Sequence, residues 1–145
     1  MKVVENFKVR EIMTTSVITV PMSASVKEVV KILAQEHITA AVVVAPNNEA
    51  IGVISEMDIV KAFNEDLDKL TAEDIMSESI ITIQPDSTIA QAAELMKTKK
   101  IHRCVIVHEK DRLGIPHPPV GILCASDIVR LMVHRGNFAK IVKNS

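Results

Sequence analysis

Gly52-Val53-Ile54-Ser55-Glu56-Met57-Asp58-Ile59-Val60 (GVISEMDIV) sets a hydroxyl and a carboxylate three residues apart, just after a glycine and two β-branched residues. Residues 121–129 (GILCASDIV) repeat the phrase: the glycine, the aspartate and the closing Ile-Val return, while the serine becomes Cys124. The duplication extends outward from both phrases. Sliding the chain along itself by 63 residues aligns IMTTSVITV (12–20) with IMSESIITI (75–83), and ITAAVVV (38–44) with IHRCVIV (101–107). Over 12–44 against 75–107, eight of 33 positions are identical: Ile12, Met13, Ser16, Ile18, Thr19, Ile38, Val42 and Val44. The closing phrases need a shift of 69, so the second copy carries six extra residues, which fall in the Gly- and Pro-rich stretch DRLGIPHPP (111–119), a loop signal. Two copies are too few for a solenoid, so the halves are expected to pack on each other.

Each copy reads β-α-β-β-α, an α/β (α+β) pattern. Short β-branched runs predict strands at 17–20 and 80–83, at 38–44 and 101–107, and at 50–54 and 120–124. Ser25-Val-Lys-Glu28 and Thr88-Ile-Ala-Gln91 have the spacing of capping boxes, each hydroxyl and each Glu/Gln serving an orphan N–H. Behind them, Val26, Val29, Val30 and Leu33 recur at helical spacing, as do Ile89, Ala92, Ala93 and Met96. Asn47-Asn48 makes a turn, and final helices start near Ser55 and Ala125. The expected division is 1–66 (core 9–61) and 67–145 (core 72–130, with the insertion at 109–119). Residues 62–72 form an acidic helix end and linker, and the polar tail 134–145 is expected to fray.

Composition narrows the function classes. The chain has 145 residues, 48% hydrophobic and 24% charged, a foldable globular mixture. With three Phe and no Trp or Tyr, it lacks the stacking platforms of single-strand nucleic-acid binders. A net charge of −1 gives no long-range attraction to nucleic acid or anionic membrane. No apolar run approaches membrane-spanning length, and the opening MKVVENFKVREIM lacks the apolar core of an export signal, so a cytoplasmic protein is expected. Cys104 and Cys124 each sit in an apolar stretch outside any CxxC pair and read as buried thiols, with a disulfide between them as the lesser alternative.

The Ser-x-x-Asp phrase has two chemical readings. An ionised aspartate can accept both hydroxyl protons of a vicinal diol, as acids at dinucleotide sites do for ribose, and a helix start offers free N–H groups to a phosphate. Equally, Ser55 is a plain N-cap and Asp58 an acid favoured by the helix dipole. The stretch KTKKIHR (97–103) is also double: Lys97, Lys99 and Lys100 suit a solvated helix C-terminus, whereas His102 and Arg103 open an apolar strand where an arginine fork would suit a phosphate. Copy one has Thr39 and Ala40 in those places.

The duplicated pattern (IMT…VITV, the capping box, I-x-x-x-V-x-V, and G-h-h-S-x-x-D-I) resembles a pair of cystathionine-β-synthase (CBS) domains, a Bateman module, over roughly 9–61 and 72–130. KIHRCVIV is similar to the same segment in the regulatory γ subunit of AMP-activated kinase. The resemblance implies tandem repeats related by pseudo-two-fold symmetry that bind AMP, ADP, ATP or S-adenosylmethionine and regulate a separate partner, with no cofactor required. It implies that Asp58 and Ser55 hold one ribose, with His102 and Arg103 facing its phosphates and the base near Ile18 and Ala40. The second site would use Asp127, with Ile81 near the base, but has Cys124 in place of the hydroxyl and only Thr39 and Ala40 where cations would help. A homodimer is also implied.

Other function classes fit parts of the same sequence. A nucleic-acid-binding protein keeps KTKKIHR in its favour, and a scaffold with vestigial sites is a further alternative. An enzyme is not expected, because Ser55, Cys104 and Cys124 have no histidine in a triad arrangement, and histidines 37, 102, 108, 117 and 134 show no metal-ligand spacing. His108 and His117 flank the inserted loop, where exposed histidines are the ordinary reading and a stray divalent ion the alternative.

Overall fold

A computed structural model describes residues 2–135, so the tail from 136 onward lies outside the described residues. In chain order the elements are α1 (Lys2–Glu5), α2 (Val9–Ile12), β1 (Thr19–Pro21), α3 (Val26–Glu36), β2 (Ala40–Val44), β3 (Ala50–Ser55) and α4 (Glu56–Lys61). They continue with α5 (Ala72–Ile75), β4 (Ile81–Ile83), α6 (Ile89–Lys99), β5 (Arg103–Ile106), β6 (Gly121–Cys124) and α7 (Ala125–Arg135). The repeated β-α-β-β-α order is present, each copy preceded by a four-residue helix. Strands are shorter at their starts than the apolar runs: Val17 and Ile18 precede β1, and Ile38 and Thr39 precede β2.

The chain forms two compact units whose limits differ from the repeat limits. One holds β1, α3, β2, β3, α4 and α5 together with residues 109–119; the other holds α1, α2, β4, α6, β5, β6 and α7. Thus the helix that opens each copy in sequence is housed with the other copy's sheet. Each unit has a three-stranded sheet, ordered β1-β2-β3 or β4-β5-β6, with the first pair parallel and the second antiparallel.

The repeated glycines explain how the opening segments dock. In the first-copy unit, Ser77 and Val53 exchange backbone hydrogen bonds of 2.9 and 3.1 Å, and a Cβ on Gly52 would lie 2.5 Å from Met76 Sδ and 2.9 Å from the Ser77 carbonyl oxygen. In the other unit, Thr14 and Ile122 exchange bonds of 2.9 and 3.0 Å, and a Cβ on Gly121 would lie 2.5 Å from Met13 Sδ and 3.1 Å from the Thr14 oxygen. The Ile-Met-Thr/Ser phrase therefore needs a residue without a side chain beneath it. Both cores are aliphatic: Val20, Val29, Leu33, Ala41, Val43 and Ile54 in one, and Val9, Ile83, Ile89, Ile106 and Leu123 among those in the other.

Helix entry is asymmetric. Thr88 and Gln91 make a full capping box, with bonds of 3.2 and 2.9 Å. The expected box at Ser25 is only half made: Ser25 Oγ accepts from Glu28 N at 3.2 Å, but the Ser25 N–H does not donate to the Glu28 carboxylate in return. There the Val26 and Lys27 N–H groups donate to the Leu70 and Leu67 carbonyls, while at α6 the Ile89 N–H donates to the Phe7 carbonyl beside the completed box. Residues 62–72, read as a linker, contain Thr71, which caps α5, and the beginning of that helix.

Candidate functional site

Both repeated phrases end a strand and open a helix. The first N–H of α4, at Glu56, donates to the Thr39 carbonyl at 3.1 Å, and the matching N–H of α7, at Ala125, donates to the His102 carbonyl at 2.8 Å. Thr39 and His102 thus share one backbone role, anchoring the helix start to the preceding strand. Their side chains are both exposed.

In the first-copy unit, Ser55 and Asp58 form a reciprocal cap. Asp58 Oδ2 accepts from Ser55 N at 2.8 Å and from Ser55 Oγ at 3.1 Å, while Ser55 Oγ faces Asp58 N at 3.4 Å. The cap reading is correct, yet it does not exhaust the carboxylate: among the described residues, each bond to Asp58 falls on Oδ2. The cap fixes the side chain and leaves Oδ1, with its lone pairs, available to a donor. Cap and ligand are compatible readings of one residue. The same unit contains Ile18, Thr39 and Ala40. Ile18 is half-buried ahead of β1, its carbonyl accepting from Val42 N at 3.0 Å, and Ala40 is buried opposite Ser55 in the β2–β3 ladder.

In the other unit the same frame carries different chemistry. Asp127 Oδ2 accepts from Cys124 N at 2.8 Å, and Oδ1 accepts from Arg130 Nη2 at 2.5 Å. Arg103 sits opposite Cys124 in the β5–β6 ladder, at the register position that Ala40 holds opposite Ser55. Burial pushes the Cys124 thiol up, Asp127 adds to the rise, and the Arg103 guanidinium beside it pulls the other way. The replacement of serine by cysteine is thus matched by an arginine across the ladder. Ile81 is half-buried and paired with Cys104.

Both cysteines are free. Cys104 pairs across from Leu123 and Cys124 across from Arg103, so the two thiols leave opposite faces of the sheet and no disulfide joins them. Of the expected site residues, Ser55, Asp58, Ile18, Thr39 and Ala40 share one unit, and His102, Arg103, Asp127 and Ile81 share the other. Lys97, Lys99 and Lys100 are exposed at the end of α6, the solvated reading of that charge run. Sequence reasoning missed Arg130, although DIVR at 127–130 displays the i, i+3 spacing of a helical ion pair. Among the described residues, no cluster of three or more His, Cys, Asp or Glu stands where a metal ion could be held, and no helix is long and apolar enough to cross a membrane.

Comparison with known proteins agrees with this architecture. The family model described as CBS domain matches twice, at residues 9–65 and 72–134. A homoserine O-acetyltransferase of Methanococcoides burtonii is 34% identical over 134 residues, but the match spans 90% of this chain and 26% of that protein. Among solved structures, the CBS domain of a CBS-domain-containing membrane protein from Sphaerobacter thermophilus is 26% identical with a TM-score of 0.76, covering 90% of each chain. The CBS domain pair of protein MJ0100, solved in complex with 5′-methylthioadenosine and S-adenosylmethionine, is 29% identical with a TM-score of 0.71, covering 87% of this chain and 95% of that one.

Proposed function

The chain belongs to the CBS-domain family, and on that premise we propose that it is a regulatory module whose ligand is an adenosine nucleotide or S-adenosylmethionine. Domains of this family are generally regulatory, and the reading assigns no catalytic step to the chain. Ligand binding would modulate a separate partner protein in the cytoplasm. The observation that carries the proposal is the Asp58 carboxylate: Oδ2 is held by Ser55, and Oδ1 is left as an acceptor for a ribose hydroxyl. Protein MJ0100, with its bound adenosine compounds, supports the ligand class. The roles of His102 and Arg103 toward phosphates, of Ile18, Ala40 and Ile81 toward a base, and of Thr39 and Asp127 at a second site rest on the family resemblance.

Isothermal titration of nucleotide-stripped protein with AMP, ATP and S-adenosylmethionine tests this reading. Removing one charge-assisted hydrogen bond costs about 1.5–3 kcal/mol, so Asp58→Ala should weaken binding roughly 10- to 150-fold. Asp58→Ala titrating like the wild type would refute the assignment of the ribose to Asp58, and no binding of any of the three by the folded wild type would refute the ligand class. We also propose a homodimer. Met57 and Val60 on α4, with Phe63 just beyond it, recur every three residues and are exposed, Phe63 by 80%. An apolar helix face of this kind suits a second copy. Phe63→Glu should convert a dimer to a monomer in light scattering; a wild-type monomer at micromolar concentration would refute the dimer.

A further inference from the structure

We propose that Arg130 is a specificity-determining residue that keeps Asp127, the second ribose-type acid, occupied from within the chain. The inference rests on the reading of these aspartates as diol acceptors and names what separates them. Both Asp127 oxygens are engaged: Oδ2 by the Cys124 N–H at 2.8 Å and Oδ1 by Arg130 Nη2 at 2.5 Å. The Asp127 side chain is 9% exposed and that of Arg130 64%, so a shielded acid is closed by a cation that reaches it from solvent. A shallow, open depression of about 300 Å³ lies beside the pair, lined by Ile12, Asp127, Arg130, Leu131 and His134, so the Asp127 carboxylate is reached from solvent past Arg130.

The first copy has the same frame without the closure. Asp58 spends Oδ2 on Ser55, and three residues on stands Lys61, which is exposed and makes no ion pair among the described residues. The difference follows from the side chains. A guanidinium presents several donors in a planar fork that matches a carboxylate, whereas an ammonium is a strongly hydrated point charge. A ribose diol approaching Asp58 finds an open acceptor, and one approaching Asp127 must first displace Arg130. A neutral nucleoside offers the released guanidinium no anion in return. Arg130 therefore makes the two acids unequal toward neutral adenosine compounds.

The test is titration of the full chain with adenosine, a neutral probe, in an Asp58→Ala background that removes the first acid. Adding Arg130→Ala should tighten binding about three- to tenfold, the span expected for an exposed arginine on a shielded carboxylate. Conversely, Lys61→Arg in the otherwise wild-type chain should weaken binding at Asp58 by a similar factor, which keeps the proposal testable should the Arg130 variant not fold by circular dichroism. Unchanged adenosine affinity in both folded variants would overturn the role of Arg130 while leaving the Asp58 assignment intact. Two equivalent sites in the wild type would overturn it as well. Failure of the folded wild type to bind any adenosine compound would instead overturn the parent reading, and this inference with it.

Discussion

Gly52→Ala is the substitution whose cost follows most directly from the packing. The new methyl carbon would stand 2.5 Å from Met76 Sδ and 2.9 Å from the Ser77 carbonyl oxygen. The sulfur ends a flexible side chain and can swing away. The carbonyl cannot, because Ser77 is fixed to Val53 by backbone bonds of 2.9 and 3.1 Å. Parting the segments by about 0.5 Å stretches both bonds, each worth about 0.5–1.5 kcal/mol net. Overpacking of a dense site costs about 1–3 kcal/mol, while the reduced freedom of the unfolded alanine chain returns about 0.4–1 kcal/mol. The net expectation is a loss of about 1–3 kcal/mol, or roughly 3–10 °C in Tm for a chain of this size. Thermal unfolding followed by circular dichroism measures the shift. Hydrogen exchange should localise the damage to the Val53 and Ser77 amides. A Gly52→Ala protein with unchanged Tm and unchanged protection at those amides would refute the close approach as the reason for the glycine.

Other outcomes follow from the same structure. Burial pushes the Cys104 thiol up from 9.0 to about 11, so native Cys104 should resist alkylation at pH 8 and react only when the chain unfolds; rapid native labelling would contradict its burial. Because the folded value is the higher one, the neutral thiol's contribution to stability is complete below pH 9 and is lost as pH rises from 9 to about 11, so Cys104→Ala should make the alkaline limb of the unfolding curve shallower, with the share of Cys124, whose thiol burial also raises, remaining. Asp74 is held below its ordinary value of 3.8 by hydrogen bonds from the Thr71 backbone and then its hydroxyl, so its contribution is present above that pH and lost as pH falls through the depressed value. Thr71→Val should make the acid limb of the stability curve shallower, and an unchanged limb would refute the contribution of that cap. Ile54→Ala, which empties a fully buried position, should cost about 2–5 kcal/mol in denaturant unfolding, and a loss below 1 kcal/mol would show that the sheet does not pack there as described.

Much of this fold is written locally. The helices α3 and α6 follow from apolar residues at helical spacing behind Ser25 and Thr88, and the strands from β-branched runs bounded by turns. Three helices escaped, because α1, α2 and α5 have four residues each and too few apolar positions to show a period. The exchange of opening segments between copies was equally invisible. IMT at 12–14 and IMS at 75–77 are near copies, and nothing in either states which glycine strand it joins. At the site, Ser55 and Asp58 were legible as a pair, since three-residue spacing at a helix start has few meanings. The placement of Arg103 against Cys124 depends on cross-strand register, and the closure of Asp127 by Arg130 on side-chain reach, neither of which periodicity records.

The central claim is that Asp58 serves two masters, the helix cap through Oδ2 and a ribose through Oδ1. The most direct measurement is a crystal structure of the protein grown with saturating S-adenosylmethionine or AMP. The account predicts a ribose hydroxyl within hydrogen-bond distance of Asp58 Oδ1, with the 2.8 Å bond from Ser55 N to Oδ2 retained. A ligand bound with its ribose away from Asp58, the carboxylate still only capping α4, would contradict it.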